Sequence, residues 1–256
     1  MHKPLLADSV TKLDGAQGRV VVTGSHGGVY AACLAFRSGC RAAVFHDAGV
    51  GLDDAGIGGL GWLDAPGMAA VAVDHRSAPI GDAAEMLARG IVSHINAAAR
   101  AAGAQPGMSC AEAVRHLEGA AMATGDAPEI REAREDVAQG ARRLVLVDSA
   151  SLVRAEDAGQ IVVTGSHGAV FGGNPANALK ADAYLALFND AGGAATSRLS
   201  ALQDRGVAAA TVAAMSARIG DARSTWEDGV ISACNDLAST LGGRPGMTAR
   251  ELVARA

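Results

Sequence analysis

The chain has 256 residues, of which 49% are hydrophobic and 19% charged, with a net charge of −5 and only four phenylalanines, two tyrosines and two tryptophans. The apolar content supplies a buried core and excludes a disordered chain, while the acidic balance and the scarcity of aromatics argue against nucleic acid and anionic membrane surfaces as partners. Four cysteines without Cys-x-x-Cys spacing, Cys33, Cys40, Cys110 and Cys234, and a start lacking an apolar signal segment, point to reduced thiols in a cytoplasmic protein.

Taken in order, segment 5–10 reads as a short strand with Asp8 and Ser9 at its end. Residues 19–23 form a buried strand that opens into a glycine turn at 24–28 and a small-residue helix over 29–37. A strand at 41–45 ends in His46 and Asp47, and a short helix follows near 60–63. Residues 68–73 make the next strand, leading into Asp74 and His75. Asp82, with Glu85 three residues on, caps a long helical pattern on which Gly90, Ser93 and Ala97 form a small-residue face suited to close helix contact. A final short helix starts after Pro106 and Gly107.

The sequence Val-Val-Thr-Gly-Ser-His-Gly at 21–27 recurs unchanged at 162–168, and the neighbouring elements recur with an offset of about 140 residues. The expected fold is therefore α/β, with two tandem Rossmann-like β-α-β repeats, mainly parallel sheets and a pseudo-two-fold relation. The repeats are placed at 1–125, carrying the main site, and 141–256, carrying a partly degenerate one, with a charged connector helix at 126–140.

In parallel sheets consecutive strands present their carboxyl ends at one edge, which is where ligands bind in open α/β folds. That edge collects Ser25 and His26, His46 and Asp47, and Asp74 and His75, and four of the seven histidines fall at such ends. Imidazole titrates near neutrality and a carboxylate fixes its tautomer, so His26, His46 and His75 are candidate proton-transfer groups with Asp47 and Asp74 orienting them. Ser25, with the Gly27 and Gly28 amides at a helix N-terminus, is a candidate contact for a substrate carboxylate or phosphate. The inserted acidic pair Asp53 and Asp54 is a candidate ligand-contacting turn, and Ser166 and His167 are candidate contributors from the second repeat. In that repeat Asn189 stands for His46, and Ala213 and Ala214 stand for Asp74 and His75.

The run Thr23, Gly24, Ser25, His26, Gly27, Gly28 resembles the Thr-Gly-x-x-x-Gly turn of short-chain dehydrogenases, a resemblance that implies nicotinamide binding. That family's Tyr-x-x-x-Lys pattern is missing, since neither Tyr30 nor Tyr184 is followed by a lysine at that spacing. The expected activity is hydrolysis of a small polar or anionic metabolite, such as an amide or cyclic amide, by His/Asp acid–base chemistry. The alternatives are an NAD(P)-dependent oxidoreductase and a non-catalytic metabolite-binding protein. No cofactor is expected, a divalent metal on the same histidines and aspartates is the competing reading, and small-residue helices suit a homo-oligomer.

Overall fold

The computed structural model describes residues 3–126, 128–139 and 141–256. The chain divides into two compact units, Met1–Val50 with Asp54–Arg131, and Gly51–Asp53 with Glu132–Ala256. Both are α/β, each built on one mainly parallel sheet.

In the first unit the elements are β1 (Leu5–Ala7), β2 (Val20–His26), α1 (Val29–Arg37), β3 (Ala42–His46), α2 (Gly58–Trp62), β4 (Ala69–Val73), α3 (Ala83–Arg89), β5 (Val92–Ile95), α4 (Ala97–Ala101) and α5 (Cys110–Leu117). The sheet runs β1-β2-β3-β4-β5, with β5 antiparallel to β4 and all other pairings parallel. Every residue of β3 and β4 is buried, as expected for strands covered on both faces. Alternation sends Val21, Ala43, Phe45 and Ala70 to one face, where α1 and α2 contribute Ala32, Ala35 and Leu60. Val22, Val44, Val71 and Val73 pack on the other face with Met86 of α3 and Leu117 of α5.

Strand order is strictly sequential, so the sheet has no reversal point of the kind that makes the crevice of a doubly wound dinucleotide fold. What it offers instead is a row of three neighbouring carboxyl ends, β2, β3 and β4. Gly24 near the end of β2 is required by close approach, since a Cβ there would sit 2.7 Å from the Asp8 carbonyl and 2.8 Å from the Asp82 amide nitrogen. Gly165 is pinched in the same way by Asp148, Gly220 and Asp221.

The second unit contains β6 (Arg134–Gln139), β7 (Arg142–Val147), β8 (Ile161–His167), β9 (Leu185–Asn189), α6 (Ser197–Gln203), β10 (Ala208–Val212), α7 (Ala222–Glu227), β11 (Ile231–Cys234), α8 (Asp236–Thr240) and α9 (Ala249–Val253). Its sheet runs β11-β10-β9-β8-β7-β6, parallel from β7 to β10 and antiparallel at both edges. The segment between β8 and β9 carries short 3-10 turns at Phe171–Gly173 and Pro175–Asn177 where the first unit has α1. The buried Arg198 side chain ties this segment down, donating from Nε to the Ala169 carbonyl at 3.0 Å and from Nη1 to the Ala178 carbonyl, with Phe188 below the guanidinium.

Two expectations are corrected. The connector helix at 126–140 is replaced by the strand β6, which pairs antiparallel with β7 from Arg134 opposite Val147 to Gln139 opposite Arg142; Ala127 and Gly140 lie outside the described residues. The decisive interactions are non-local, since Arg134 reaches the fully buried Asp157 at 2.9 Å through two nitrogens. The small-residue helix face is also absent. Gly90 ends α3, where a Cβ would meet the Met86 carbonyl at 2.4 Å, and Ser93 lies in β5.

Candidate functional site

The centre of the site is the Asp47 carboxylate, at the carboxyl end of β3 with 3% of its side chain exposed. Its Oδ1 accepts from the Gly49 amide at 2.9 Å, the His75 amide at 3.0 Å and His75 Nδ1 at 3.0 Å. Its Oδ2 accepts from the Ser93 hydroxyl at 2.9 Å. Because Asp47 Oδ1 takes the Nδ1 proton, Nε2 is the outward nitrogen of His75, and it has no partner among the described residues. The ring is 23% exposed, which leaves that nitrogen within reach of a small ligand. Asp74 lies 3.5 Å from His75 Nδ1, and the Arg76 guanidinium beside it holds its carboxyl at about 2.

The second unit separates what the fold needs from what the site adds. Asp190 accepts from the Gly192 amide at 3.1 Å and the Ala214 amide at 2.9 Å, repeating the two main-chain bonds of Asp47. The carboxylate is thus a structural bridge between two strand ends in both units. Among the described residues, only in the first unit do an imidazole and a hydroxyl join it.

His46 has the opposite character. It is 1% exposed, its Nε2 donates to the Ala78 carbonyl at 3.0 Å and its Nδ1 accepts from the Ala48 amide at 3.0 Å. Asn189 makes the same pair of bonds, donating to Ala217 at 3.0 Å and accepting from Ala191 at 2.9 Å. Burial also lowers the His46 pKa. Both His46 nitrogens are spent on the main chain, so the fold accounts for this residue without proton transfer.

His26 accepts from the Gly28 amide through Nδ1 at 3.1 Å, and burial together with the nearby His46 pulls its pKa down to about 4. At neutral pH it is therefore an uncharged ring with Nε2 protonated, a hydrogen-bond donor rather than a base. In the candidate anion cradle, the Gly27 amide donates to the His46 carbonyl at 3.0 Å and the Gly28 amide is held by His26. The same two commitments remove the amides that the pyrophosphate of a nicotinamide cofactor would use. Ser25 accepts from the Val10 amide at 2.9 Å, as Ser166 does from Ala150 at 2.9 Å, so both serines anchor the turn that follows the first parallel strand. His167 accepts from the Ala169 amide at 3.2 Å within the second unit. Asp53 groups with the second unit, where it is paired with Arg218 at 2.7 Å, and Asp54 is exposed on a backbone with φ of 56°.

Asp47, Asp74 and His75 bring one ligand atom each within 4.8 Å, the only such group among the described residues. The donor set does not fit a resident divalent metal. Four N–H and O–H donors already occupy Asp47, and Arg76 grips both oxygens of Asp74, at 3.0 and 2.6 Å.

Two residues absent from the sequence-based list join the centre. Ser93 is the extra residue of a β-bulge, since Val73 pairs with Val92 while Ala72 pairs with His94, and the bulge aims its side chain at Asp47. His94 Nδ1 lies 3.1 Å from the Ser93 hydroxyl. A signal was present in the chain, because the second unit has Ala233 at the position of His94, the same kind of difference that sets Ala213 and Ala214 against Asp74 and His75. No family model, curated protein or solved structure matches this chain.

Proposed function

We propose that the first unit is a metal-independent hydrolytic site for a small polar or anionic metabolite, an amide or cyclic amide being the chemistry it fits. The observation that carries this reading is the Asp47–His75 pair. A buried carboxylate fixes the ring with one nitrogen inward at 3.0 Å and the other outward at a strand-end rim. In the proposed reaction His75 Nε2 takes a proton from water as the oxygen attacks the carbonyl carbon, then returns it to the leaving nitrogen. Asp47 holds the ring in one tautomer throughout. His26, neutral with a pKa of about 4, donates a hydrogen bond from Nε2–H to the oxygen on which charge develops and keeps its proton throughout. Arg76, 79% exposed next to His75, favours a substrate carrying negative charge.

The shared heptapeptide and the matching strand pairings support the two units being fused copies of one Rossmann-like ancestor, in a cytoplasmic protein. In this reading the second copy has kept the Asp190 bridge and lost the chemistry.

The test is turnover of a panel of small linear and cyclic amides by the wild type and by His75→Ala. Loss of at least about 100-fold in kcat/KM, with an unchanged circular dichroism spectrum, is expected for removal of a general base. Full activity in the variant would end this reading. Dialysis against EDTA should leave turnover unchanged, whereas loss restored by zinc or magnesium would show that a metal does the work.

A further inference from the structure

We propose that Ser93 and His94 form a second arm of the Asp47 centre, in which the His94 tautomer directs the Ser93 hydroxyl proton onto Asp47 and so sets the carboxylate that holds His75. The inference rests on the reading of Asp47 and His75 given above, and it makes Ser93 and His94 positioning residues.

The Ser93 hydroxyl has one proton and three neighbours: Asp47 Oδ2 at 2.9 Å, the Ala72 carbonyl oxygen at 3.2 Å and His94 Nδ1 at 3.1 Å. The first two can only accept. The role of the third depends on which ring nitrogen carries the proton. With Nδ1 protonated, His94 donates to the serine oxygen and the hydroxyl proton is left for Asp47. With Nε2 protonated, Nδ1 competes for that same proton and Asp47 loses its fourth donor. The Nδ1–H form gives each contact in the chain His94, Ser93, Asp47, His75 one donor and one acceptor, so the carboxylate carries one imidazole directly and a second through the hydroxyl.

The second unit shows the arm dismantled. Ala233 replaces His94, Thr211 replaces Ala72, and the Ser232 hydroxyl pairs with the Thr211 hydroxyl at 2.9 Å. Asp190 then keeps its two amide donors, and the described residues give it no hydroxyl. The serine and its bulge persist in both units, so neither is sufficient to bring the hydroxyl to the carboxylate. What differs is the imidazole beside it and the residue across from it.

The experiment is a nitrogen–proton correlation spectrum of the full-length protein labelled with 15N-histidine, recorded at a pH where the rings are neutral. His94 is expected in the Nδ1–H form. Ser93→Ala should return it to the Nε2–H form that free histidine prefers, and Ser93→Thr, which restores the hydroxyl, should recover Nδ1–H. Turnover should fall about tenfold in Ser93→Ala and recover in Ser93→Thr, in line with the cost of misplacing a catalytic group. A wild-type His94 in the Nε2–H form, or a tautomer unmoved by Ser93→Ala, overturns the proposal. His75→Ala keeps the two readings apart: the His94 tautomer should survive it, while turnover that also survives removes the His75 assignment alone.

Discussion

At the scale of single residues, a histidine acts as a fixed bridge or as a proton carrier according to how many of its nitrogens the fold leaves open. His46 ends one parallel strand and His75 follows the next, yet His46 spends both nitrogens on carbonyl and amide partners while His75 keeps Nε2 outward. His46→Asn should therefore fold with a stability change within about 1 kcal/mol and retain turnover, because Asn189 already makes both bonds in the other unit. Thermal melts and activity assays check this, and an inactive but folded variant would return His46 to the chemistry. The sequence made Asp47 and His75 legible through their strand-end positions. It could not separate His46 from them, since a neutral imidazole and an amide offer the same donor and acceptor to a buried main chain. His94 reads as a structural histidine for a different reason: the pattern Gly90, Ser93, Ala97 suits a helix, and an imidazole on a helix face has no path to a strand-end carboxylate.

At the scale of elements, local signals served where the interactions are local. Asp82 accepts from the Glu85 amide at 2.9 Å and Asp221 from the Ser224 amide at 2.9 Å, as expected for helix N-caps. Asp82→Ala should lower stability by about 1 kcal/mol, read as a shifted urea midpoint with unchanged slope. The strand β6 was illegible because its charged sequence satisfies helical propensity, and only pairing with β7 and the reach of Arg134 to Asp157 select the extended form. Segment 170–184 is a similar case, held by long side chains, Arg198 and Arg205 among them, instead of by a helix. Desolvation lowers the Arg198 pKa to about 10, and no carboxylate among the described residues pairs with it. Arg198→Ala frees two carbonyls and should cost on the order of 3 kcal/mol in chemical denaturation. A loss below about 1 kcal/mol would show that the segment holds itself.

At the scale of the whole molecule, stability should follow the histidines that the fold keeps neutral. An unfolded chain binds a proton at His26 near 6.5, whereas the folded protein accepts one only near 4. The folded pKa is depressed, so this contribution is complete above 6.5 and is lost as pH falls towards 4. The lowered pKa of His46 acts in the same direction. Asp74, held at about 2 against an ordinary 3.8, begins to add its own loss only below that window. The unfolding free energy from urea titrations between these limits should drop with a slope of about 1.4 kcal/mol per pH unit for each such ring, and His26→Gln should flatten it. A flat profile in the wild type would contradict the neutral assignment. The sequential strand order lay beyond a sequence reading, because crossover loops specify which strands follow one another and leave the direction of the next step to packing. The Asp190 bridge gives the second unit a use of its own. It is a folded blank on which a proton-transfer centre can be written, with Ala214→His, Ala233→His and Thr211→Ala as the edits, and activity gained there would measure how little beyond the bridge such a centre requires.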